Sequence, residues 1–254
     1  LHLSIRRQRQ MCIRDSLHIT RSMQDRAKQL SEEIDDANLR LTLIAKASNL
    51  SLQLYGWYIQ HGHARNDEDR AILDKMMQDP VLEAIKSSTG FYEQLYRFQC
   101  MCWHSFINQD FLMHYRYSQK WVDLYEANEN MKGIETAQYI KGLHNLISAF
   151  FDLRNLQKFK DTIAVLEQFS QEPIVLNNKN NQIQCFVYIY IAKINQHFLE
   201  GSFSEGLNMV PTMEAQLKEI EPFIDSHRVL VFYYKIACLF FGAGEPEKAI
   251  DYLN

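Results

Sequence analysis

The chain has 254 residues, of which 46% are hydrophobic and 23% are charged, a composition typical of a soluble globular protein. Its net charge of −4 argues against binding to nucleic acid or to an anionic membrane surface, and no apolar run reaches the ~20 residues that a membrane-spanning helix needs. Its 9 glycines and 5 prolines are few for an all-β sandwich and normal for long helices. The cysteines at positions 12, 100, 102, 185 and 238 form no disulfide framework, which favours free thiols in a reducing compartment. We therefore expect a cytoplasmic protein.

The first sixteen residues differ in character from the rest of the chain. Four arginines among them could form a basic arm that contacts phosphates or acts in targeting. The stretch Arg-Gln-Arg-Gln-Met-Cys-Ile-Arg-Asp-Ser, which ends at Ser16, instead resembles the in-frame translation of a sequencing adaptor. Without residues 1–16 the net charge would change from −4 to −7, because they contain four arginines and one aspartate. We interpret residues 1–16 as an artefact or a disordered arm and base the fold prediction on residues 17–254.

Helical hairpins recur along the rest of the chain at a nearly constant step. In each hairpin an apolar helix ends at a turn, and a second helix begins a few residues later. Successive turns are 43 to 47 residues apart, which is typical of a stacked array in which each hairpin covers the apolar face of its neighbour. The turns are predicted near Gly62, Gln109, Arg154, Gly201 and Gly244.

Apolar residues within the hairpins follow the helical period. In the third hairpin they lie at i, i+4, i+7, i+8 and i+11, which places them on one face of a helix. No segment of comparable length alternates with a period of two, so we expect no β-sheet. The apolar rows are Leu43, Ala47, Leu50, Leu54 and Tyr58 in the first hairpin, Tyr139, Leu143, Leu146, Ile147 and Phe150 in the third, with Phe159, Ile163, Leu166 and Phe169 in its partner helix, and Val187, Tyr190, Ile191, Ile194 and Phe198 in the fourth.

Prolines and polar stretches mark the boundaries of the hairpins. Pro80, Pro173 and Pro222 each follow a second helix, where proline commonly ends one helix or opens the next. Pro211 instead falls inside the second helix of the fourth hairpin, so we expect a kink or a break there. The run Asn-Asn-Lys-Asn-Asn-Gln at 177–182 predicts a polar loop between hairpins.

The last hairpin carries Tyr233, Ile236, Ala237, Phe240, Gly244, Ala249 and Leu253 at its helix-packing positions. These residues resemble the consensus of the tetratricopeptide repeat (TPR), and residues 145–159 and 201–206 are looser matches. The step of 43 to 47 residues exceeds the ~34 residues of that family, and Phe159 replaces the small residue expected where two helices approach most closely. The resemblance implies an all-α fold: a right-handed superhelical array of about five antiparallel helix pairs, a TPR-like α-solenoid, with a concave groove lined by the first helix of each pair.

Residues of the first helices that would face this groove are the candidate binding residues. Their aromatic, amide and cationic groups suit an extended peptide, through stacking and hydrogen bonds to its backbone. The alternative is that Trp103 and Tyr234 pack against adjacent helices. Lys141 and Asn145 alone do not complete the lysine, arginine and asparagine set with which some members of the family hold a terminal carboxylate, so we expect no such ligand. The candidates are Gln99, Trp103, Lys141, His144, Ser148, Asn195 and Tyr234.

Two groups of possible metal ligands are better explained without a metal. Cys100, Cys102 and His104 form a C-x-C-x-H pattern, but residues two apart on a helix point about 200° from each other and do not converge. His61 and His63 flank the first turn, where a solvated turn is the simpler interpretation. We expect no metal and no cofactor.

Evidence for catalysis is equally thin. The acidic runs at 32–36 and 66–70 are similar to the aspartate-rich helices of metal-dependent all-α prenyl enzymes, but we interpret them as charged first turns of helices. Glycine-rich phosphate loops, G-x-S-x-G and H-E-x-x-H are all absent from the sequence. A catalytic Cys–His pair, which would meet only in the fold, stays open.

The sequence thus predicts a protein- or peptide-binding helical-repeat scaffold without catalytic activity, a fragment of a bacterial-type chain truncated at both ends. Its expected partner is a protein or peptide segment, with neither nucleic acid nor a membrane involved, and its oligomeric state is unknown. One alternative is the sensory or regulatory arm of a signalling regulator or kinase whose effector domain lies outside this chain. A weaker one is an all-α enzyme with an enclosed active site.

Overall fold

The computed structural model describes residues 24–253, which contain α-helices and two 3₁₀ turns but no β-strand. Residues 1–16, interpreted above as an artefact or an arm, lie outside this range. The α-helices are α1 (Gln24–His61), α2 (Asp67–Met77), α3 (Pro80–Ala84), α4 (Phe91–Ile107), α5 (Phe111–Glu126), α6 (Asn130–Ile134), α7 (Thr136–Asp152), α8 (Leu156–Ser170), α9 (Pro173–Leu176), α10 (Lys179–Glu200), α11 (Phe203–Gly206), α12 (Val210–Ile220), α13 (Ser226–Gly242) and α14 (Pro246–Asp251). The 3₁₀ turns are Leu207–Met209 and Glu221–Phe223.

The helices pair as five hairpins in chain order. The first helices are α1, α4, α7, α10 and α13, and the second helices are α2 with α3, α5, α8, α11 with α12, and α14. The extensive contacts in the described range join two helices of one hairpin or two helices of adjacent hairpins. The others join a helix to the short segment beside it, which is α6, α9 or a 3₁₀ turn. Each hairpin thus covers the apolar surface of the next one along the chain.

All five predicted turns are confirmed by the backbone. Within residues 24–253 the residues with a positive φ are Gly62, Gln109, Arg154, Gly201 and Gly244, with φ between 54° and 83°. This left-handed conformation ends a helix by turning its last carbonyls toward amides beyond the turn. Because each hairpin has one left-handed residue at its turn, residues of different hairpins can be compared by the number of positions that separate them from that residue.

Hydrogen bonds explain why these turns form where they do. At the second, third, fourth and fifth turns, the amide that follows the left-handed residue donates to a carbonyl five residues back, as from Asp110 to Ser105 at 2.9 Å and from Asn155 to Phe150 at 3.0 Å. The same Asp110 and Asn155 then accept from the first-turn amides of α5 and α8 through their side chains. One short segment therefore closes the first helix and caps the second.

The predicted apolar rows supply buried residues of the core and partly buried residues that pack against it. All five residues of the row in α7 are at most 5% exposed, as are Phe159, Ile163 and Leu166 in its partner helix. One buried cluster surrounds α1, α2, α3 and part of α4, and a second extends from α4 to α13. The small residue Gly206 marks a close helix approach, because a Cβ atom there would lie 2.9 Å from the His197 and Leu239 side chains.

Three local predictions fare differently. The break at Pro211 is confirmed, since the second helix of the fourth hairpin is divided and α12 begins one residue earlier. The polar loop at 177–182 is wrong for most of its length: Asn178 caps α10, and residues 179–182 form the first turn of that helix. The acidic run at 32–36 was expected at the start of a helix but lies inside α1. Its Glu32 side chain pairs with Lys28, one helical turn earlier, at 4.0 Å.

Candidate functional site

The candidates on α4 lie where this helix contacts neighbouring first helices. Gln99 is 5% exposed; its carbonyl accepts from Ser51 of α1 at 3.2 Å, and its amide donates to Gln138 of α7 at 3.0 Å. The half-buried ring of Trp103 lies 5.0 Å from that of Tyr55 on α1. Gln99 and Trp103 thus connect α4 with its neighbours, and Trp103 retains part of its surface for a ligand.

The candidates on α7 have three different environments. Lys141 is exposed, and Ser148 is half-buried. The His144 ring stacks on the Tyr188 ring of α10, with the centroids 3.8 Å apart and the planes 7° from parallel. Burial, the Arg228 guanidinium and His114 lower the pKa of His144 to about 3, so this imidazole is neutral at physiological pH. A neutral imidazole stacks and offers one hydrogen-bond donor and one acceptor, but it carries no charge to attract an anion.

Asn195 and Tyr234 belong to the last two first helices. The Asn195 carbonyl on α10 accepts from the Lys235 ammonium of α13 at 2.6 Å. Tyr234 is 62% exposed, and a hydrogen bond with Cys238 raises the pKa of its phenol. Of the seven candidates, the structure joins Gln99, Trp103, His144 and Asn195 to adjacent first helices. It leaves Lys141 and Tyr234 exposed and Ser148 half-buried.

This surface includes three residues that the sequence analysis missed and Phe198, which it assigned to an apolar row. Tyr188 and Phe198 of α10, with Arg228 and Lys235 of α13, contact the candidates or each other: Arg228 lies 5.9 Å from the Tyr188 ring, and Lys235 lies 5.5 Å from the Phe198 ring. Tyr188 could have been found from the sequence, because it precedes Gly201 by thirteen residues, as Lys141 precedes Arg154. Arg228 gives no such signal, since it lies near the start of α13.

The C-x-C-x-H pattern on α4 has side chains that face three different neighbours. Cys100 contacts the carbonyl of Ala47 on α1, Cys102 contacts the Ser118 hydroxyl on α5 at 3.3 Å, and His104 contacts Asp74 on α2 at 2.9 Å. Burial raises the pKa of both thiols to about 12. These two cysteines are therefore protonated packing residues, and neither is an activated nucleophile.

His61 and His63, interpreted above as part of a solvated turn, have different environments: His61 is exposed and His63 is half-buried. His63 bonds to the Phe106 carbonyl through Nδ1 at 3.1 Å, while the exposed His61 lies 4.9 Å from the Trp57 ring. Within the described residues, no three His, Cys, Asp or Glu side chains are grouped as metal ligands would be. The acidic run at 66–70 does begin a helix, as predicted: Asn66 caps α2 and accepts from the Asp69 amide.

Comparison with known proteins finds no matching family model, and no curated protein or solved structure matches the chain significantly. None of the helices in residues 24–253 combines the length and the apolar character needed to cross a membrane. The case for a function therefore depends on the hairpin array and on the surface of its first helices.

Proposed function

We propose that this chain is a TPR-like α-solenoid, a right-handed superhelix of five hairpins, whose first helices form a groove for an extended peptide or protein segment. The observation that carries the proposal is the sequential packing: helices contact their own hairpin and the adjacent ones, around turns of one conformation. Arrays of this kind create long surfaces instead of enclosed pockets, which suits binding to an extended segment.

The chemistry of the first helices supports a peptide as the ligand. Large side chains on α1 and α13 are exposed, among them Leu52 at 64%, Ile59 at 60%, Tyr234 at 62% and Phe241 at 70%. The first helix α7, which lies between α1 and α13 in chain order, contributes the exposed Lys141 and the half-buried Ser148. Apolar anchors beside polar groups are the usual composition of a peptide-binding surface.

Catalysis has no comparable support among the described residues. The strongly shifted groups are cysteines, tyrosines and histidines whose pKa values are moved mainly by burial, toward the uncharged form. We therefore propose a scaffold without catalytic activity of its own.

A peptide-display screen tests this function. The full chain, immobilised, is offered a library of unstructured peptides, and bound peptides are measured again in solution by fluorescence anisotropy. Tyr234→Ala should weaken binding roughly tenfold, the loss expected when an exposed aromatic anchor is removed. Phe223→Ala is the matched control, because Phe223 is equally exposed at 65% but lies outside the first helices. A chain that binds no peptide or protein and turns over a small molecule would overturn the proposal.

A further inference from the structure

Two lysines of the first helices differ from all others in the described part of the chain. Lys141 on α7 and Lys235 on α13 are the lysines whose pKa is lowered, in both cases chiefly by burial. Neither ammonium forms an ion pair with a residue of the described range 24–253. Lys235 is half-buried, and a partly desolvated cation without an anion is unfavourable unless a ligand supplies the opposite charge, whereas the exposed Lys141 is accessible to such a ligand.

The surroundings of Lys141 add a second positive charge. The Arg228 guanidinium of α13 is close enough to lower the pKa of Lys141 further, and it lies over the ring of Tyr188. The other side chain stacked on this ring, His144, is neutral. Asp225 pairs with Arg228 at 3.2 Å, so one carboxylate offsets one of the two cations. Lys141, His144, Tyr188 and Arg228 therefore form a centre with one positive charge in excess, which we name the first cationic centre.

Lys235 forms the second cationic centre. Its ammonium donates to the Asn195 carbonyl at 2.6 Å and lies over the Phe198 ring, two neutral partners that orient the charge without cancelling it. The carboxylates of the adjoining elements are engaged elsewhere: Glu167 of α8 pairs with Lys193 at 2.6 Å, and Glu200 pairs with Lys160. An excess positive charge thus remains at each centre, although the whole chain has a net charge of −4.

The two centres lie on the same faces of α10 and α13. Tyr188 and Asn195 are seven residues apart on α10, and Arg228 and Lys235 are seven residues apart on α13. Seven residues make about two helical turns, which separates the centres by about 10 Å along the helices. A peptide in the extended polyproline II conformation covers about 9 Å in three residues and returns every third side chain to the same side.

We propose that the two cationic centres bind an acidic peptide segment, with one carboxylate side chain at Lys141 and Arg228 and another, two to four residues away, at Lys235. This inference rests on the proposed function and names its ligand class. It predicts that the groove selects acidic segments, because an ammonium or guanidinium and a carboxylate form charge-assisted hydrogen bonds that a neutral amide does not match.

The test uses three fluorescein-labelled peptides on a glycine-serine background. One carries two glutamates three residues apart, and the others carry glutamine or lysine at the same places. The full chain should bind the glutamate peptide at least tenfold more tightly than the glutamine peptide and should not bind the lysine peptide. Lys141→Gln and Lys235→Gln should each weaken binding of the glutamate peptide roughly tenfold, which corresponds to ~1.4 kcal/mol per contact. Lys141→Arg and Lys235→Arg should retain most of the binding.

Lys218→Gln is the matched control, because Lys218 is an exposed lysine on the second helix α12, and its loss should leave binding unchanged. Circular dichroism of each variant checks that the helices are intact. Equal binding of the glutamate and glutamine peptides would overturn the inference while leaving a peptide-binding function in place. Displacement of the bound glutamate peptide by millimolar inorganic phosphate would overturn it too, because it would indicate a general anion site. If the peptide-display screen also returns no ligand, the proposed function fails as well.

Discussion

The five turns offer a direct test of how this fold is encoded. Gln109 and Arg154 adopt the left-handed conformation, with φ of 59° and 54°, that glycine adopts at the other three turns. Both side chains are exposed, and neither forms a hydrogen bond or an ion pair within residues 24–253. Replacing either residue by glycine therefore removes conformational strain without removing a contact.

The size of the effect follows from two opposing contributions. A residue with a Cβ atom in the left-handed region costs roughly 1–2 kcal/mol, and glycine loses roughly 0.5–1 kcal/mol more conformational freedom on folding. Arg154→Gly and Gln109→Gly should each stabilise the protein by about 0.5–1 kcal/mol. Gly201→Ala should destabilise it by a similar amount, because a Cβ atom at Gly201 meets no atom within 4 Å and only the backbone strain changes.

Thermal and urea unfolding, followed by circular dichroism, measure these changes. In a chain of this length 1 kcal/mol shifts Tm by about 2–4 °C, so the single glycine variants should melt about 1–4 °C higher and Gly201→Ala about 1–4 °C lower. The double variant should show the sum, since the two turns belong to different hairpins. A Gly201→Ala protein as stable as the parent, or an Arg154→Gly protein less stable than it, would refute the link between conformation and stability at these turns.

Three further predictions concern the core. His114 is fully buried, and burial lowers its pKa to about 4. The free energy of unfolding should therefore be highest above the unfolded pKa of about 6.5 and should fall as the pH drops, by about 2 kcal/mol at pH 5. Urea titrations across this range measure the loss, and His114→Leu should make it smaller; an unchanged pH dependence in that variant would contradict the assignment. Gly206→Ala should cost about 1–3 kcal/mol, because the added methyl group would press on His197 and Leu239, and a Tm equal to that of the parent would argue against a close helix approach. Phe159→Ala should cost about 3–5 kcal/mol and Phe159→Leu much less, because Phe159 is 0% exposed; equal melting of the two variants would show that the site relaxes.

The positions of the turns and of the apolar rows could be predicted because both depend on nearby residues. A turn such as that at Arg154 is closed by hydrogen bonds that span at most five residues, and Asn155 then caps the next helix. The row in α7 is visible because burial on one face repeats with the helical period. The local predictions that failed, at 177–182 and at 32–36, share one cause: polar residues are compatible with the exposed first turn or the exposed face of a helix as well as with a loop.

The candidate surface was predicted less completely, because its character depends on what packs against it. Gln99 and Tyr234 both lie ten residues before their turn, yet Gln99 is 5% exposed and Tyr234 is 62% exposed. Gln99 has partners on two other first helices, α1 and α7, whereas the hydrogen bond of Tyr234 stays within α13. The difference in exposure between Gln99 and Tyr234 cannot be read from the sequence of either helix alone.

The amino-acid sequence by itself therefore determined the all-helical class, the five turns and the apolar face of most helices, through short-range hydrogen bonds and hydrophobic periodicity. The tertiary structure decided which polar groups of successive first helices meet, and it placed Arg228 near Lys141, 87 residues away in the chain. Burial and the Arg228 guanidinium lower the pKa of Lys141, an effect that exists only after the hairpins have packed.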